Sequence, residues 1–564
     1  MDVRTSREHT WEMGGYALAL SLALFLRLVL LGRFPLGDAE AALALKALAL
    51  SQGQGGALGT APLYALWTAA VFFLLGATDF TARLVPAVVG SALVLLPWWW
   101  RRWVGREVAL ALAFGLAVAP TLVGVSRVAD GPALAVTFTL YAVTWAGWRR
   151  WPGAVLWAGL ALLAGPATEL GLLGLLLAGG VWWRWRRRGP LPLQAPQADE
   201  PPSHATPWLW GALAWVLAAT LLGTVPAGLG GMTQGVVAFA HGWVAGSGVP
   251  WWAPGLALFL AAPWAWGFAV LGVAHPRPKA DDWRVGAALW AAAALAVATL
   301  YPARQPLDAV WASVPGWALA VDTARRWWPR RFSWQVTAQA AVVLALSGYL
   351  WLSSGLAWQR GQVGLLALLV LMALMLMATL AFWMAYTASW RSSLQGLLLG
   401  LGVALALLTW RGVAQSVRSP LDVLRGRARP ADLQVRLLQQ TVARVAEWSH
   451  GRPDTLEVVA LQPPPALRWA LRGVHSVRVV SSLGPEDLPE SLLTPADFAS
   501  MENGAAYRGQ DFLYARAPLW VRLQGWDAWA RWFFWGQAPR EGERVLFWVR
   551  VDRFPGGAWE GGSP

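Results

Sequence analysis

The sequence predicts an α-helical polytopic membrane protein of about thirteen transmembrane helices, with a small extracytoplasmic α/β domain at its carboxyl end. Three observations predict it. Of 564 residues, 57% are apolar and only 13% charged, with 42 tryptophans, whereas about 25% of a soluble protein's residues carry charge. That charge density excludes a disordered chain, collagen, a coiled coil and an ordinary cytosolic enzyme. Apolar stretches of roughly 16–26 residues recur along the chain, and the basic residues between them are unevenly shared.

The spans are expected at 13–32, 83–100, 107–125, 132–148, 153–166, 170–184, 208–226, 254–273, 285–301, 307–322, 334–353, 363–388 and 394–411. The first 411 residues hold 27 of the 45 basic groups. Nineteen fall on one side of that topology, in loops such as Arg101–Arg106, Arg184–Arg188 and Arg325–Arg331. The remaining eight are Arg27, Arg33, Lys46, Arg83, Arg127, Arg304, Arg360 and Arg411. Retention of arginine in the cytoplasm puts the first side, and the amino terminus, inside a cell membrane, and the carboxyl terminus outside. Tryptophans bunch at helix ends (Trp98–Trp100, Trp182-Trp183, Trp251-Trp252, Trp327-Trp328), at headgroup level. The amino terminus lacks an apolar run ending in a cleavage site, so the first helix reads as an uncleaved anchor.

The chain therefore divides into a transmembrane domain, 1–411, and an extracytoplasmic domain, 412–564. Within the first, 33–82 is a long outer loop whose helix at 62–75 is too short to span and is expected to lie along the interface. The stretch 185–207 is a Pro- and Gln-rich cytoplasmic linker. In the tail, strands are expected at 456–461, 477–480 and 545–551, with a short helix at 466–472. Of the net charge of +14, a surplus of 12 belongs to the first 411 residues and sits in short loops between apolar runs, which argues against nucleic acid. Cysteine is absent, so disulfides, thiolate metal sites and a cysteine nucleophile are excluded.

Acids outside the inner loops of the membrane part are few: Asp38, Glu40, Asp79, Asp130, Glu169 and Asp308. All fall at or near the outer ends of helices or in the first outer loop. Charges near hydrocarbon cost about 2–4 kcal/mol, so such a layer either lines a polar cavity or sits in the headgroup zone. Arg127 could simply pair with Asp130 three residues on, and Asp79 with Arg83 four residues on. Arg304 could be a headgroup anchor. His241 is the only histidine in the outer loops of the membrane part, and reads as an ordinary loop residue. Ala227-Gly228-Leu229-Gly230-Gly231 lacks the lysine and serine or threonine of a phosphate loop.

A first outer loop with acids, then Ala61-Pro62-Leu63-Tyr64, then Leu75-Gly76-Ala77-Thr78-Asp79-Phe80-Thr81-Ala82-Arg83-Leu84, resembles the GT-C integral-membrane glycosyltransferases. The likeness is to their protein O-mannosyltransferase-like and aminoarabinose-transferase-like groups, and to a subfamily described as flippase-activity-associated. Pro120, Ser126-Arg127 and Asp130, and Tyr301-Pro302-Ala303-Arg304-Gln305-Pro306 with Pro315, are similar to further motifs of those enzymes. The resemblance covers roughly residues 10–325; the tail resembles only the narrower subfamily.

The resemblance implies transfer of a sugar from a polyprenyl-phosphate donor to a glycan, lipid or protein acceptor at the outer face, with a first-loop carboxylate as general base. The family pattern is Asp-Glu-Ala, whereas this chain reads Asp38-Ala39-Glu40-Ala41. Either Asp38 or Glu40 supplies the base, or catalysis is lost and the chain handles a lipid-linked saccharide as a transporter or flippase-associated protein. Arg127, Asp130, Arg304, Lys46 and Tyr64 are the candidates for holding lipid phosphate and substrate. Guanidinium groups offer forked, permanently charged donors. No cofactor is demanded; a divalent cation could bind through Asp38, Glu40 and Asp130 oxygens, but no spacing requires it.

Overall fold

The computed structural model of the chain describes residues 3–186, 206–274, 282–329, 333–418, 434–484, 488–498, 507–516, 523–535, 537 and 542–554. The expected linker at 185–207 lies, from 187 to 205, outside the described residues.

The membrane part is a bundle of helices in the order α1 (Val3–Leu28), α2 (Asp38–Ser51), α3 (Pro62–Leu75), α4 (Thr81–Ala92), α5 (Leu96–Val104), α6 (Arg106–Val118), α7 (Pro120–Ser126), α8 (Pro132–Gly147), α9 (Trp151–Leu162) and α10 (Pro166–Arg186). It continues with α11 (Thr206–Ala219), α12 (Ala227–His241), α13 (Ala253–Ala261), α14 (Pro263–Ala274), α15 (Asp282–Leu300), α16 (Val310–Trp327), α17 (Trp334–Gln359), α18 (Val363–Thr387) and α19 (Trp390–Arg418). Each expected span falls on one of these helices or on a consecutive run of them. Among the described residues five helices are long and apolar enough to cross a membrane, or seven if each bent pair is one span.

The bent pairs differ from the straight spans expected. Proline lacks a donor and crowds the carbonyl four residues back; accordingly α6 and α7 meet at 54° before Pro120, and α13 and α14 at 105° before Pro263. Bundle side chains and backbone cover the groups these breaks leave open. Arg27, fully buried, donates to the carbonyls of Leu116 and Ala117 at the end of α6, at 3.2 and 3.1 Å. Thr409 Oγ1 accepts the Trp264 amide at 3.2 Å. In α3 residues Pro62 to Ala69 are mostly buried against α2, α4 and α12, and only its last turn, Phe73 to Leu75, is exposed.

The membrane core is built from small residues and large aromatics, such as Ala113, Ala117, Ala135 and Ala312 against Trp311 and Trp317. Small residues let helices approach closely where lipid offers no hydrophobic drive between them.

The carboxyl-terminal part contains α20 (Val435–His450), α21 (Pro465–Ala470), α22 (Gly525–Trp535) and a five-stranded sheet. Its strands are β1 (Glu457–Leu461), β2 (Ser476–Val480), β3 (Ser491–Pro495), β4 (Tyr507–Arg516) and β5 (Gly542–Arg550), in the order β2-β1-β3-β5-β4. β1 is parallel to both neighbours, and β5 antiparallel to β3 and β4. The amphipathic α20 lays Val435, Leu438, Val442 and Val445 on the sheet face carried by Val458, Ala460, Leu493, Phe512 and Phe547. The change of composition at 412 falls inside α19, which continues to Arg418.

Candidate functional site

α2 starts where the sequence offers acids for the positive end of a helix and then a run of alanine and leucine. Its first turn is held from three sides. The Arg83 guanidinium, fully buried on α4, donates from Nε to Glu40 Oε1 and from Nη2 to Glu40 Oε2, both at 2.9 Å. The Ala129 amide also donates to Oε1 at 2.9 Å, and the Gly37 amide to Oε2 at 3.3 Å. Arg83 spends its remaining donors on the carbonyls of Leu31, Phe34 and Pro35. Arg83 is thus the partner of Glu40 across the loop, where the sequence spacing suggested Asp79. Both Glu40 oxygens are engaged, so Glu40 fastens three segments and is poorly placed to take a proton from an acceptor.

Asp38, half-buried, is engaged differently. Its Oδ1 accepts the Ala466 amide at 3.0 Å and so caps α21 of the carboxyl-terminal part. The same segment is latched by three more contacts. Trp469 Nε1 donates to Asp79 Oδ1 at 2.7 Å, the Trp469 ring stacks on Phe72 at 5.7 Å, and Arg472 donates to the Ala77 carbonyl at 3.2 Å. Ala466 and Trp469 share one buried cluster with Leu36, Ala41, Ala44, Tyr64 and Phe72. The carboxyl-terminal domain therefore closes directly over the first loop.

Asp130 and Asp308 form a second layer beside it. Asp130 Oδ1 accepts the Gly131 amide at 2.6 Å. Burial pushes its carboxyl up to about 6 and the Glu40 charge adds to this, against the pull of that amide. Asp308 lies in the short turn Pro306–Ala309 before α16 and accepts the Gln305 amide at 2.7 Å. Glu169, on the first turn of α10, has both oxygens buried with no hydrogen-bond partner among the described residues. The positive-φ Gly165 allows this crowding: a side chain there would meet the Thr60 carbonyl at 2.3 Å.

The other candidates divide. Arg304 donates from Nη1 to the Val249 carbonyl at 2.8 Å, and its buried Nε has no partner among the described residues. Tyr64 is fully buried and donates to the Ala82 carbonyl at 2.8 Å, which makes it a packing residue. Lys46 is exposed on α2, its ammonium over Gly59. Arg127 is not beside Asp308 or Arg304: it donates to the carbonyls of Leu26, Arg27, Val29 and Val417, closing the ends of α1 and α19. Sequence spacing alone left Glu169 without a role and missed the latch by Ala466 and Trp469. Among the described residues no group of three or more His, Cys, Asp or Glu is arranged to hold a metal.

A carboxyl titrating near neutrality can take a proton, and a guanidinium with a spare N–H can hold a phosphate. Burial so disposes Asp130, and Arg304 carries the spare N–H; Asp38, Asp308 and Glu169 are further carboxyls of the same layer.

No protein-family model matches the sequence, and no curated protein matches it. Solved structures do. The chain aligns over 97% of its length with 99% of ArnT from Cupriavidus metallidurans bound to undecaprenyl phosphate, at 14% identity and a TM-score of 0.54. The apo state of ArnT from the same organism aligns over 84% of this chain and 86% of that one, at 14% identity and a TM-score of 0.48. This chain is an α-helical polytopic membrane protein of GT-C-like fold with a small carboxyl-terminal domain.

Proposed function

We propose that the chain is a membrane glycosyltransferase that moves a sugar from a polyprenyl-phosphate donor to an acceptor at the face bearing the carboxyl-terminal domain. In this reading the amino terminus is cytoplasmic and that domain extracytoplasmic, as the arginine loops require. The observation that carries it is the end-to-end fold likeness to ArnT, which was solved with undecaprenyl phosphate, joined to a layer of carboxyls under the docked domain. An acceptor hydroxyl would attack the anomeric carbon and give its proton to a carboxylate. The bond from that carbon to the phosphate oxygen would break, and the lipid phosphate would leave with its charge facing Arg304. Asp38 is the first candidate base, since Glu40 is fastened to Arg83.

The Asp38 contact with Ala466 favours a second reading, in which the chain holds a lipid-linked saccharide without transferring it, as a transporter or flippase-associated protein. Sugar transfer from a lipid donor in vesicles separates the two. Asp38→Asn is expected to lower transfer by about 10²–10⁴-fold. Unchanged transfer in Asp38→Asn would remove Asp38 as base, and donor binding without any transfer by the unmodified chain would favour the second reading.

A further inference from the structure

β4 and β5 are antiparallel neighbours, paired from Tyr507 with Arg550 to Arg516 with Gly542. Two such strands need a turn of only about two to five residues. The chain instead spends twenty-five, 517–541, on the connection, and the helix described within it is α22. Six of its eleven residues are aromatic: Trp526, Trp529, Trp532, Phe533, Phe534 and Trp535. None of them joins the core between α20 and the sheet.

α22 leans on membrane helices. Ala528, Trp529 and Trp532 pack on Ala257 and Ala261 of α13, and Trp529 meets Trp252 at 5.9 Å. Phe533 and Phe534 lie 4.9 and 5.1 Å from the Trp351 ring of α17, and Trp535 packs where Gly355 has no side chain. At the carbonyl end of α22, Arg411 of α19 donates to the Phe533 oxygen at 2.9 Å.

Helical rise gives the depth. Trp351 stands 17 residues beyond the start of α17 at Trp334, about 26 Å, and Arg411 stands 21 beyond the start of α19 at Trp390, about 32 Å. Those lengths straddle the roughly 30 Å of a bilayer's hydrocarbon, so the aromatic end of α22 sits at its edge. Trp526 and Phe533, seven residues apart and therefore on one side of the helix, stay 84% and 36% exposed. Asp527 and Arg531 pair with each other on another side. Phe533 also borders an apolar pocket of about 130 Å³ with Phe259 of α13 and Leu405 and Leu408 of α19, and Phe259 is itself exposed. The free rings of α22 thus continue the outward-facing apolar surface of the spans.

We propose that α22 is an interfacial helix whose partner is lipid: held to α13, α17 and α19, it sinks Trp526 and Phe533 into the monolayer beneath the carboxyl-terminal domain. Aromatic rings settle at headgroup level, and the Asp527–Arg531 pair stays toward water. The domain is then fastened twice, to the first loop through α21 and to the bilayer through α22, whether or not it serves sugar transfer.

The chain has no cysteine, so a single introduced thiol reports on one place. Trp526→Cys, Phe533→Cys and Arg531→Cys variants of the full chain are spin-labelled in vesicles of phosphatidylethanolamine and phosphatidylglycerol. They are compared with Leu371→Cys, on the exposed wall of α18. Oxygen partitions into lipid and a nickel chelate into water, so the ratio of their collision rates reads depth. The oxygen-to-nickel ratio at 526 and 533 is expected to approach that at 371 and to exceed that at 531 several-fold. Ratios at 526 and 533 as low as at 531 would leave the rings in water, open to a glycan, and overturn the proposal. Labels shielded from both reagents would mean that a protein covers this side, and would overturn it equally. Because these variants remove rings, the unmodified chain gives an independent reading. A diazirine-tailed phosphatidylcholine photolysed in the same vesicles is expected to mark 525–535 and not 507–516, and an unmarked 525–535 would take the helix out of the lipid.

Discussion

Glu40 and Arg83 grip each other through both carboxylate oxygens and two guanidinium nitrogens, at 2.9 Å in each contact, inside a bundle where Arg83 has no exposed surface. Such a pair is weak evidence for stability, because both charges were taken from water, but breaking it is costly. Glu40→Ala strands a buried guanidinium and is expected to lose about 3–5 kcal/mol. The double change Glu40→Leu with Arg83→Met is expected to recover much of it. Denaturant unfolding of the purified variants measures both, and a double variant worse than either single one would contradict the account.

Trp469 is the largest side chain in the latch between the domains, 2% exposed and stacked on Phe72. Trp469→Ala is expected to cost about 3–5 kcal/mol of local packing and to release the first loop while the sheet stays folded. Hydrogen exchange over 38–50 should then rise with little change in β1 and β5. Protection that stays as in the unmodified chain would show that the latch does not depend on this ring.

Arg127 serves four carbonyls from one planar fork. Lysine keeps the charge but cannot reproduce the fork. Arg127→Lys is therefore expected to destabilise by about 1–3 kcal/mol while sugar-donor binding persists. Thermal melting with and without donor distinguishes this from a phosphate-binding role, in which donor affinity would fall first.

The helices were legible because an apolar run of a given length has few other solutions in lipid. The sheet was legible in part: β1, β2 and β5 carry β-branched residues, whereas Ser491–Pro495 and the glycine- and charge-bearing Tyr507–Arg516 do not announce strands. The arginines misled. Arg27 and Arg127 look like charges near a membrane surface, yet they satisfy carbonyls at helix ends and at the break before Pro120. Asp38 and Glu40 were singled out together, but nothing local tells that one meets Arg83 and the other Ala466. Those partners are 43 and 428 residues away, and only the assembled bundle chooses between them.

Ala466 lies 428 residues after Asp38. At ribosomal speeds of roughly 5–20 residues per second, the first loop would emerge about 20–90 s before its cover is made. During that interval the carboxylate stands open to whatever the membrane offers. A nascent chain arrested before β1 would be the natural form in which to look for a ligand that the finished molecule hides.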